Sequence, residues 1–324
     1  MISIIFRGWR KYSNQLKQLS NQTGVPYSWL VIDCIISKIV YGCVINQYVL
    51  GKFYKRKWFE RRKMLTYRRW ERIIDKFNNP QYTHYLKNKK DFNNFFSQFV
   101  GREWRFSQDI NYDEFKDFIL RHKKIIVKPV DGWEGDNVRL IDFSSQTFPL
   151  EELFKELSSK PYMIEECIRQ NENMVFGGHS VNTIRAYTIY DKEESKSYIL
   201  KTVLRVGVGN SIVDNSHSGG CAYEVDRNLG IIISESYQAN GGVNIIHPQT
   251  DICMLGQKIP HWQKVQELCK QAAEMLPEVQ YIGWDVAIKE NGPILIEGNH
   301  DPDLDMVEFV GSYGYYNTIM SHLK

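Results

Sequence analysis

The sequence lacks several features that would assign it to a special class of protein. Its six cysteines include no C-x-x-C pair, so they indicate neither a zinc site nor a redox motif, and free thiols fit a reducing compartment. With 22 glycines and 10 prolines among 324 residues, the chain has no collagen-like or low-complexity bias. The first ten residues hold too short an apolar run for a signal peptide. The longest uncharged run of the most apolar region, Ile39 to Gly51, has 13 residues, whereas a membrane span needs about 20. We therefore expect a cytoplasmic globular protein.

Charge is distributed unevenly along the chain. Residues 1–80 contain 16 Lys and Arg against 4 Asp and Glu, a net charge of +12, while the remaining residues carry a net charge of −9. Two interpretations of the basic part are open. It is either a solvated helix surface or a docking surface for an anionic partner, such as a membrane leaflet or a lipid-linked diphosphate, with nucleic acid the least favoured.

Residues 1–80 are expected to be helical. An amphipathic helix is predicted by apolar residues at helical spacing, namely Ile32, Ile35, Ile36, Ile39, Val40, Cys43 and Val44. Residues 52–76 are helix-favouring and strongly basic, with Trp58, Phe59, Tyr67 and Trp70 interleaved. These aromatic side chains fit core contacts or a platform for lipid or nucleotide. Peripheral membrane association through residues 52–72 is the expectation that follows from the second interpretation.

The predicted secondary structure changes after residue 80. Two further helices are predicted at Lys89 to Phe99 and Tyr112 to Arg121. From Lys124 onward short β-branched runs predict strands, joined by turns rich in Gly, Asn and Asp: KIIVKP, VRLIDF, YMIEE, VNTIRAYTIYD, SYILKTVLRVG, GIIIS and YIGWDVAIKENGPILIEGN. One helix, His261 to Met275, lies among them. Hairpin strands with few helices predict an α+β fold.

A first motif, IIVKPVDGWEGDNVRLI, places Lys128 at a strand end before a loop with Gly132 and Gly135. An ammonium group beside the backbone N–H groups of a glycine-containing loop can bind phosphates. Taken alone, the motif is more typical of an ordinary hairpin, because it lacks the P-loop pattern.

A second motif is a C-terminal hairpin. Asp285 lies in one strand, Asn291-Gly292 predicts a tight turn, and Glu297 and Asn299 lie two residues apart on the returning strand. The strand period of two puts Glu297 and Asn299 on one face. Two carboxylates and an amide oxygen are ligands suited to Mg²⁺. The alternative is a polar stripe facing solvent, although unpaired carboxylates inside apolar strands are costly.

A third motif spans residues 181–226. Arg185, Lys201 and Arg205 project from β-branched strands, and a polar loop containing Asn215 follows them. Strand-borne cations near a carboxylate hairpin are what phosphoryl transfer requires, because its catalysis depends on positioning and charge neutralisation. Taken alone, each cation is more typical of a surface residue.

The order of these pieces resembles the ATP-grasp superfamily, and in particular its sugar-transfer-associated branch. The phrases VNTIRAYTIYD, NSIVDNSHSGG and YIGWDVAIKENGPILIEGN carry the resemblance, which covers about residues 81–310. It implies an ATP-grasp domain over residues 81–324 behind the basic region 1–80. The first lobe would be residues 81–163 and the second lobe residues 164–324, with ATP between them.

The resemblance also implies roles for individual residues. Nucleotide binding would fall to Lys89, Lys128, Gly132, Gly135, Glu165, Glu166, Ile168 and Lys201, with Glu165 and Glu166 in the hinge that holds adenine and ribose. Metal binding would fall to Asp285, Glu297 and Asn299, and the transferred phosphoryl group would face Arg185, Arg205 and Asn215. The loop DGWEGDN departs from the family's smaller, glycine-richer loop.

The implied activity is carboxylate–amine ligation with ATP and Mg²⁺, or Mn²⁺, through an acyl phosphate. The resemblance suggests an amino acid or similar acid, joined to an amino sugar, lipid-linked saccharide or peptide in cell-surface polysaccharide synthesis. Localisation would be cytoplasmic or peripheral at the inner face of the membrane. Two alternatives stay open: an ATP-dependent phosphotransferase that uses the same cleft, and a non-catalytic anion- or membrane-binding module.

Overall fold

The computed structural model describes residues 2–131, 137–144, 149–177, 180–209, 220–238 and 243–323, with side chains from residue 12 onward. The helices are α1 Ile2–Thr23, α2 Tyr27–Tyr41, α3 Ile45–Leu50, α4 Trp58–Lys63, α5 Tyr67–Phe77, α6 His84–Lys87, α7 Lys89–Phe95, α8 Ser97–Val100, α9 Tyr112–His122, α10 Leu150–Ser158, α11 Trp262–Glu274, α12 Leu304–Phe309 and α13 Tyr316–His322. The strands are β1 Trp104–Phe106, β2 Lys124–Pro129, β3 Arg139–Asp142, β4 Tyr162–Glu166, β5 Thr183–Asp191, β6 Lys196–Val206, β7 Cys221–Val225, β8 Tyr281–Lys289 and β9 Gly292–Asn299.

A four-stranded antiparallel sheet with the order β1-β4-β2-β3 forms the first lobe. Helices α9 and α10 cover one face through a core that includes Phe115, Phe118, Ile125 and Leu157. Helix α9 begins at a capping box, in which Asn111 and Glu114 each accept a hydrogen bond from the other's backbone N–H.

A five-stranded antiparallel sheet with the order β7-β6-β5-β8-β9 forms the second lobe. Helix α11 packs on one face, where Val265, Cys269 and Trp284 belong to the largest core. Helices α5, α12 and α13 cover the other face through a second core. The two antiparallel sheets confirm the α+β prediction.

The N-terminal helices join the second lobe directly. Leu16, Leu30, Tyr48 and Phe53 form a separate small core in this region. From Leu65 onward, however, the chain shares its core with the five-stranded sheet, so α5 is part of the domain that the sequence placed after residue 80.

Several local predictions differ from the structure. Residues 230–234 were expected as a strand but form only isolated bridges, Ile231 with Lys258 and Ile232 with Val225. The turn of the β8–β9 hairpin comprises residues 290 and 291, because Lys289 pairs with Gly292. The expected lobe boundary between residues 163 and 164 falls inside β4, all of which pairs within the first sheet.

The aromatic residues of segment 52–76 differ in burial. Phe53 is fully buried in the small N-terminal core, whereas Trp58, Phe59 and Tyr67 are exposed. Trp70 is partly buried and donates from Nε1 to the Pro302 carbonyl over 3.0 Å. The basic segment is also not one helix, because Met64, Leu65 and Thr66 separate α4 from α5. No helix in the described ranges is long and apolar enough to cross a bilayer.

Candidate functional site

One face of the five-stranded sheet collects charged residues from four strands. Arg185 on β5 pairs in register with Asp285 on β8, and Asp285 pairs with Glu297 on β9. Arg205 on β6 pairs with Thr183, which lies two residues before Arg185 on β5. Because antiparallel neighbours in register lie about 5 Å apart, these side chains meet on one face, as the sequence predicted.

Asp285 is the centre of this row. Arg185 donates from Nε to Oδ1 and from Nη2 to Oδ2 over 2.9 Å, and Arg205 donates from Nη1 to Oδ2 over 2.8 Å. All three residues are buried. Burial raises the pKa of Asp285, but the two guanidinium groups outweigh it and hold this pKa well below the usual range. Asp285 is therefore a fixed negative charge, and the two arginines are held by it.

Glu297 and Asn299 complete the predicted metal set. Burial and the neighbouring Asp285 raise the pKa of Glu297, while Arg185 and Lys128 act in the opposite direction. Asn299 Nδ2 is buried without a hydrogen-bond partner among the described residues. Turned over, the same amide would present its oxygen instead.

These residues fit a magnesium ion by their donor chemistry. Two crowded carboxyl groups hold negative charge that a divalent cation would offset, and Mg²⁺ uses one or two carboxylates together with substrate phosphates and water. The part of the chain that the structure describes contains no group of three or more His, Cys, Asp and Glu that could form an all-protein site. The oxygens of Asp285 already accept from Arg185 and Arg205, so a cation there would exchange guanidinium contacts for its own.

Lys128 projects from β2 of the first sheet toward the same region. Its Nζ lies 2.9 Å from Glu165 Oε2, and Glu165 also accepts from Arg102 Nε and Nη2, each over 3.0 Å. Burial raises the pKa of Glu165, but Arg102 and Lys128 lower it well below its usual range. Glu165 therefore orients Lys128 in this structure, and its carboxylate is occupied by these two cations.

Arg102 is the functional candidate that the sequence analysis missed. Besides Glu165, it donates to the carbonyl oxygens of Leu295 over 2.6 Å and Ile296 over 3.2 Å, both on β9 immediately before Glu297. Its side chain is fully buried. No motif surrounds it in GREW, and Glu165, Leu295 and Ile296 lie 63 to 194 residues away, so no local signal could have identified these contacts.

Lys89 reaches the site from the start of α7. Asn88 caps this helix by accepting from the backbone N–H groups of Lys90 and Asp91, which fixes where Lys89 emerges. Lys89 Nζ lies 3.5 Å from the Val130 carbonyl. Burial lowers the pKa of Lys89, with a compensating contribution from Glu297. Lys89 and Lys128 are thus brought close to the carboxylate row, as predicted.

The ammonium group of Lys201 is not available to a nucleotide in this conformation, although the sequence predicted that role. Its Nζ donates to the carbonyl oxygens of Val307, Val310 and Ser312 over 2.8, 2.5 and 2.7 Å, and it lies 4.0 Å from Glu224. The side chain is fully buried. These contacts tie β6 to the segment after α12, so Lys201 has a structural role in this conformation.

Of the remaining predicted site residues, some are described by the structure and others are not. Glu166 is half-buried and lies 3.4 Å from Lys289 Nζ, and Ile168 follows β4, also half-buried. Gly132, Gly135 and Asn215 lie outside the described residues.

The segment after β9 is fixed above the site. Asn78 Nδ2 donates to the carbonyl oxygens of Tyr281 and His300 over 2.8 and 2.5 Å, and the Tyr187 hydroxyl donates to the Asp303 carbonyl over 2.8 Å. A Cβ at Gly283 would lie 2.6 Å from Pro302 Cβ, so only glycine permits this close approach. The backbone that follows Asn299 is therefore held rigidly.

Comparison with known proteins supplies a family. Residues 68–322 match the model of the family described as sugar-transfer associated ATP-grasp. No curated protein matches the chain.

Solved structures similar to the chain have low identity. The ATP-grasp ligase PsnB, complexed with a minimal precursor, Mg and ADP, is 14% identical with a TM-score of 0.47, over 76% of this chain and 61% of that chain. D-alanyl-alanine synthetase A from Vibrio cholerae is 13% identical with a TM-score of 0.46, over 76% of this chain and 68% of that one. The chain thus spans less than two thirds of the length of the PsnB structure.

Proposed function

Because the chain belongs to the sugar-transfer-associated ATP-grasp family, we propose that it is an ATP-dependent carboxylate–amine ligase that acts through an acyl phosphate. The observation that carries this proposal is the row formed by the buried Arg185 and Asp285 and the half-buried Glu297, with Arg205 beside it. A row of fixed charges that is largely shielded from water is suited to stabilising a transferring phosphoryl group.

We propose that ATP binds between the two lobes. Lys128, oriented by Glu165 in the first lobe, and Lys89, at the start of α7, would contact its phosphates. The ammonium groups of two half-buried or buried lysines bind phosphate more strongly than exposed ones, since less solvent screens them. Mg²⁺ or Mn²⁺, held by Asp285, Glu297 and Asn299, would supply neutralisation of phosphate charge.

The arginines would act during transfer. An oxygen of the substrate carboxylate attacks the γ-phosphorus while the bond to ADP breaks, and Arg185 and Arg205 offset the charge that spreads over the phosphoryl oxygens. The amine then attacks the acyl carbon of the acyl phosphate, loses a proton, and phosphate leaves. Because Asp285 positions both guanidinium groups, they need little reorganisation for this step.

The substrates are proposed from the family's description. An amino acid or similar acid would be joined to an amino sugar, a lipid-linked saccharide or a peptide in cell-surface polysaccharide synthesis. A lipid-linked acceptor would be met at a membrane, and we propose that the basic residues 52–72 associate peripherally with the anionic inner face of that membrane.

Hydroxylamine trapping tests the ligase mechanism. The full chain is incubated with MgATP, hydroxylamine and single acids from a panel of amino acids, without an amine acceptor. The expected result is a hydroxamate, with ADP, for the correct acid, because hydroxylamine intercepts an acyl phosphate. AMP with pyrophosphate, or a stable phosphorylated product without hydroxamate, would contradict the mechanism. Glu172→Gln, an exposed substitution, is the control and should behave as the parent chain.

A further inference from the structure

Helix α2 turns two of its polar side chains, Asp33 and Ser37, inward. Asp33 accepts from Arg61 Nη1 over 2.7 Å and from the Tyr48 hydroxyl over 2.7 Å. Ser37, one turn further along, is fully buried and accepts from Arg61 over 3.2 Å. Together with the buried Leu30, these residues define the face of α2 that packs on the protein.

The opposite face of α2 is apolar and exposed. Its exposed side chains are Trp29 (44%), Ile32 (59%), Ile35 (47%), Ile36 (48%), Ile39 (72%) and Val40 (60%). Their spacing at i, i+3, i+4 and i+7 makes one continuous stripe. Single exposed apolar residues are common, but a contiguous stripe of large ones marks an interaction surface. We refer to these six residues as the α2 face.

Neighbouring exposed residues indicate the chemistry of the partner. Lys38 lies on α2 itself, and Lys52, Lys55 and Lys57 follow in the same helical region, all exposed. Residues 1–80 carry a net charge of +12, so a second copy of this chain docked through α2 would oppose like charges. An anionic partner is favoured.

Exposed aromatic residues next to these cations favour a lipid surface among anionic partners. Trp58 is 64% exposed with the Arg62 guanidinium 5.3 Å from its ring centre, and Phe59 is 46% exposed with Lys57 Nζ at 5.9 Å. Aromatic rings with adjacent cations are characteristic of the boundary between headgroups and acyl chains.

We propose that α2 lies in the plane of an anionic bilayer leaflet, with the α2 face among the acyl chains and the exposed lysines at the headgroup phosphates. A helix of 15 residues is only about 22 Å long, too short to span the roughly 30 Å hydrocarbon core. Flat insertion by an apolar face with cationic margins is how amphipathic helices bind membranes. The inference deepens the membrane association proposed for residues 52–72 and does not depend on ligase activity.

Vesicle flotation of the full chain tests this inference. Vesicles of phosphatidylcholine with about 30% phosphatidylserine are compared with pure phosphatidylcholine. The parent chain should float with the anionic vesicles, and Ile36→Glu/Ile39→Glu should lower its partition coefficient at least tenfold, an order-of-magnitude expectation. Leu120→Glu is the matched control, because Leu120 is an apolar residue on helix α9 with 64% exposure, and it should float as the parent does. Circular dichroism verifies that each variant is folded.

Separate outcomes distinguish the α2 face from the basic segment. If Lys52→Glu/Lys55→Glu abolishes flotation while the isoleucine variant floats normally, the association of residues 52–72 stands and the role of α2 is refuted. The proposal is overturned if the parent chain floats equally well with neutral vesicles. It is also overturned if the parent chain floats with neither the anionic nor the neutral vesicles. Light scattering on the parent chain adds one further test, since a dimer that the isoleucine variant converts to a monomer would assign the face to a second copy. Hydroxamate formation in solution is independent of all these results.

Discussion

Lys201 shows that a single buried charged residue can have a structural role. Its ammonium group has three carbonyl acceptors after α12 and the carboxylate of Glu224 at 4.0 Å. Burial nevertheless lowers the pKa of Lys201 to about 8, with Glu224 and Glu308 acting in the opposite direction. The charged form is therefore disfavoured in the folded chain relative to the unfolded one.

The pH dependence of stability should report this lysine. A lysine with a folded pKa of about 8 and an ordinary value of 10.5 binds fewer protons in the folded state between these pH values, so the free energy of unfolding rises with pH there. Urea unfolding at pH 7 to 9.5 should show the parent chain gaining up to about 1.4 kcal/mol per pH unit relative to Lys201→Met. Lys192→Met, at an exposed position, is the control. A pH-independent difference between parent and Lys201→Met would contradict the shift.

The sequence could predict the residues whose neighbours are set by strand alternation. Asp285, Glu297 and Arg185 alternate out of long apolar strands, and the register of an antiparallel sheet brings them together. It could not predict the contact of Glu165 with Arg102 or that of Lys201 with Ser312, because these partners lie 63 and 111 residues away without any pattern of their own.

At the scale of elements, a buried carboxylate joins the N-terminal helices to the C-terminal ones. Glu308 on α12 accepts from the backbone N–H groups of Leu65 over 2.8 Å, Gly314 over 2.9 Å and Tyr315 over 3.0 Å. Leu65 lies between α4 and α5, so this side chain determines how the basic region meets the domain. Strand and helix positions followed from periodicity, whereas this junction depends on residues 243 positions apart.

Replacing Glu308 should destabilise the fold. In Glu308→Gln the amide NH₂ would face a backbone N–H in place of an oxygen, so at least one buried donor loses its acceptor. We expect the free energy of unfolding to fall by about 2 kcal/mol, the scale of one hydrogen bond to a charged group. Denaturant unfolding measures this change, and Glu267→Gln on the exposed side of α11 should leave stability unchanged. Equal stability of Glu308→Gln and the parent chain would show that Glu308 contributes nothing net.

At the scale of the whole molecule, the two sheets meet around the charged row. Lys128 approaches from the first sheet, Lys89 from α7, whose Phe92 packs in the core of the second sheet, and Asp285 and Glu297 from the second sheet itself. A ligand that contacts both lobes should stabilise the folded chain by linkage, since the unfolded chain has no such site.

MgATP should therefore raise the melting temperature. At a hundredfold excess over the dissociation constant the gain is about 2.7 kcal/mol, which corresponds to a rise of several degrees. Glu297→Gln should fold normally, but MgATP should raise its melting temperature less, because one charge partner of the cation is lost. The rise should match the smaller one that ATP gives to the parent chain in the presence of EDTA. An unchanged melting temperature of the parent chain with saturating MgATP would contradict the nucleotide site.

The bonds of Arg102 have a mechanical consequence for such a site. This one guanidinium group holds Glu165 in the first sheet and the carbonyl oxygens of Leu295 and Ile296 in the second. Any separation of the sheets that admits or releases a nucleotide must break these bonds or turn about them. If they persist, Arg102 is a pivot, and displacement grows with distance from it, so β3, on the opposite edge of the sheet from β1, sweeps the widest arc.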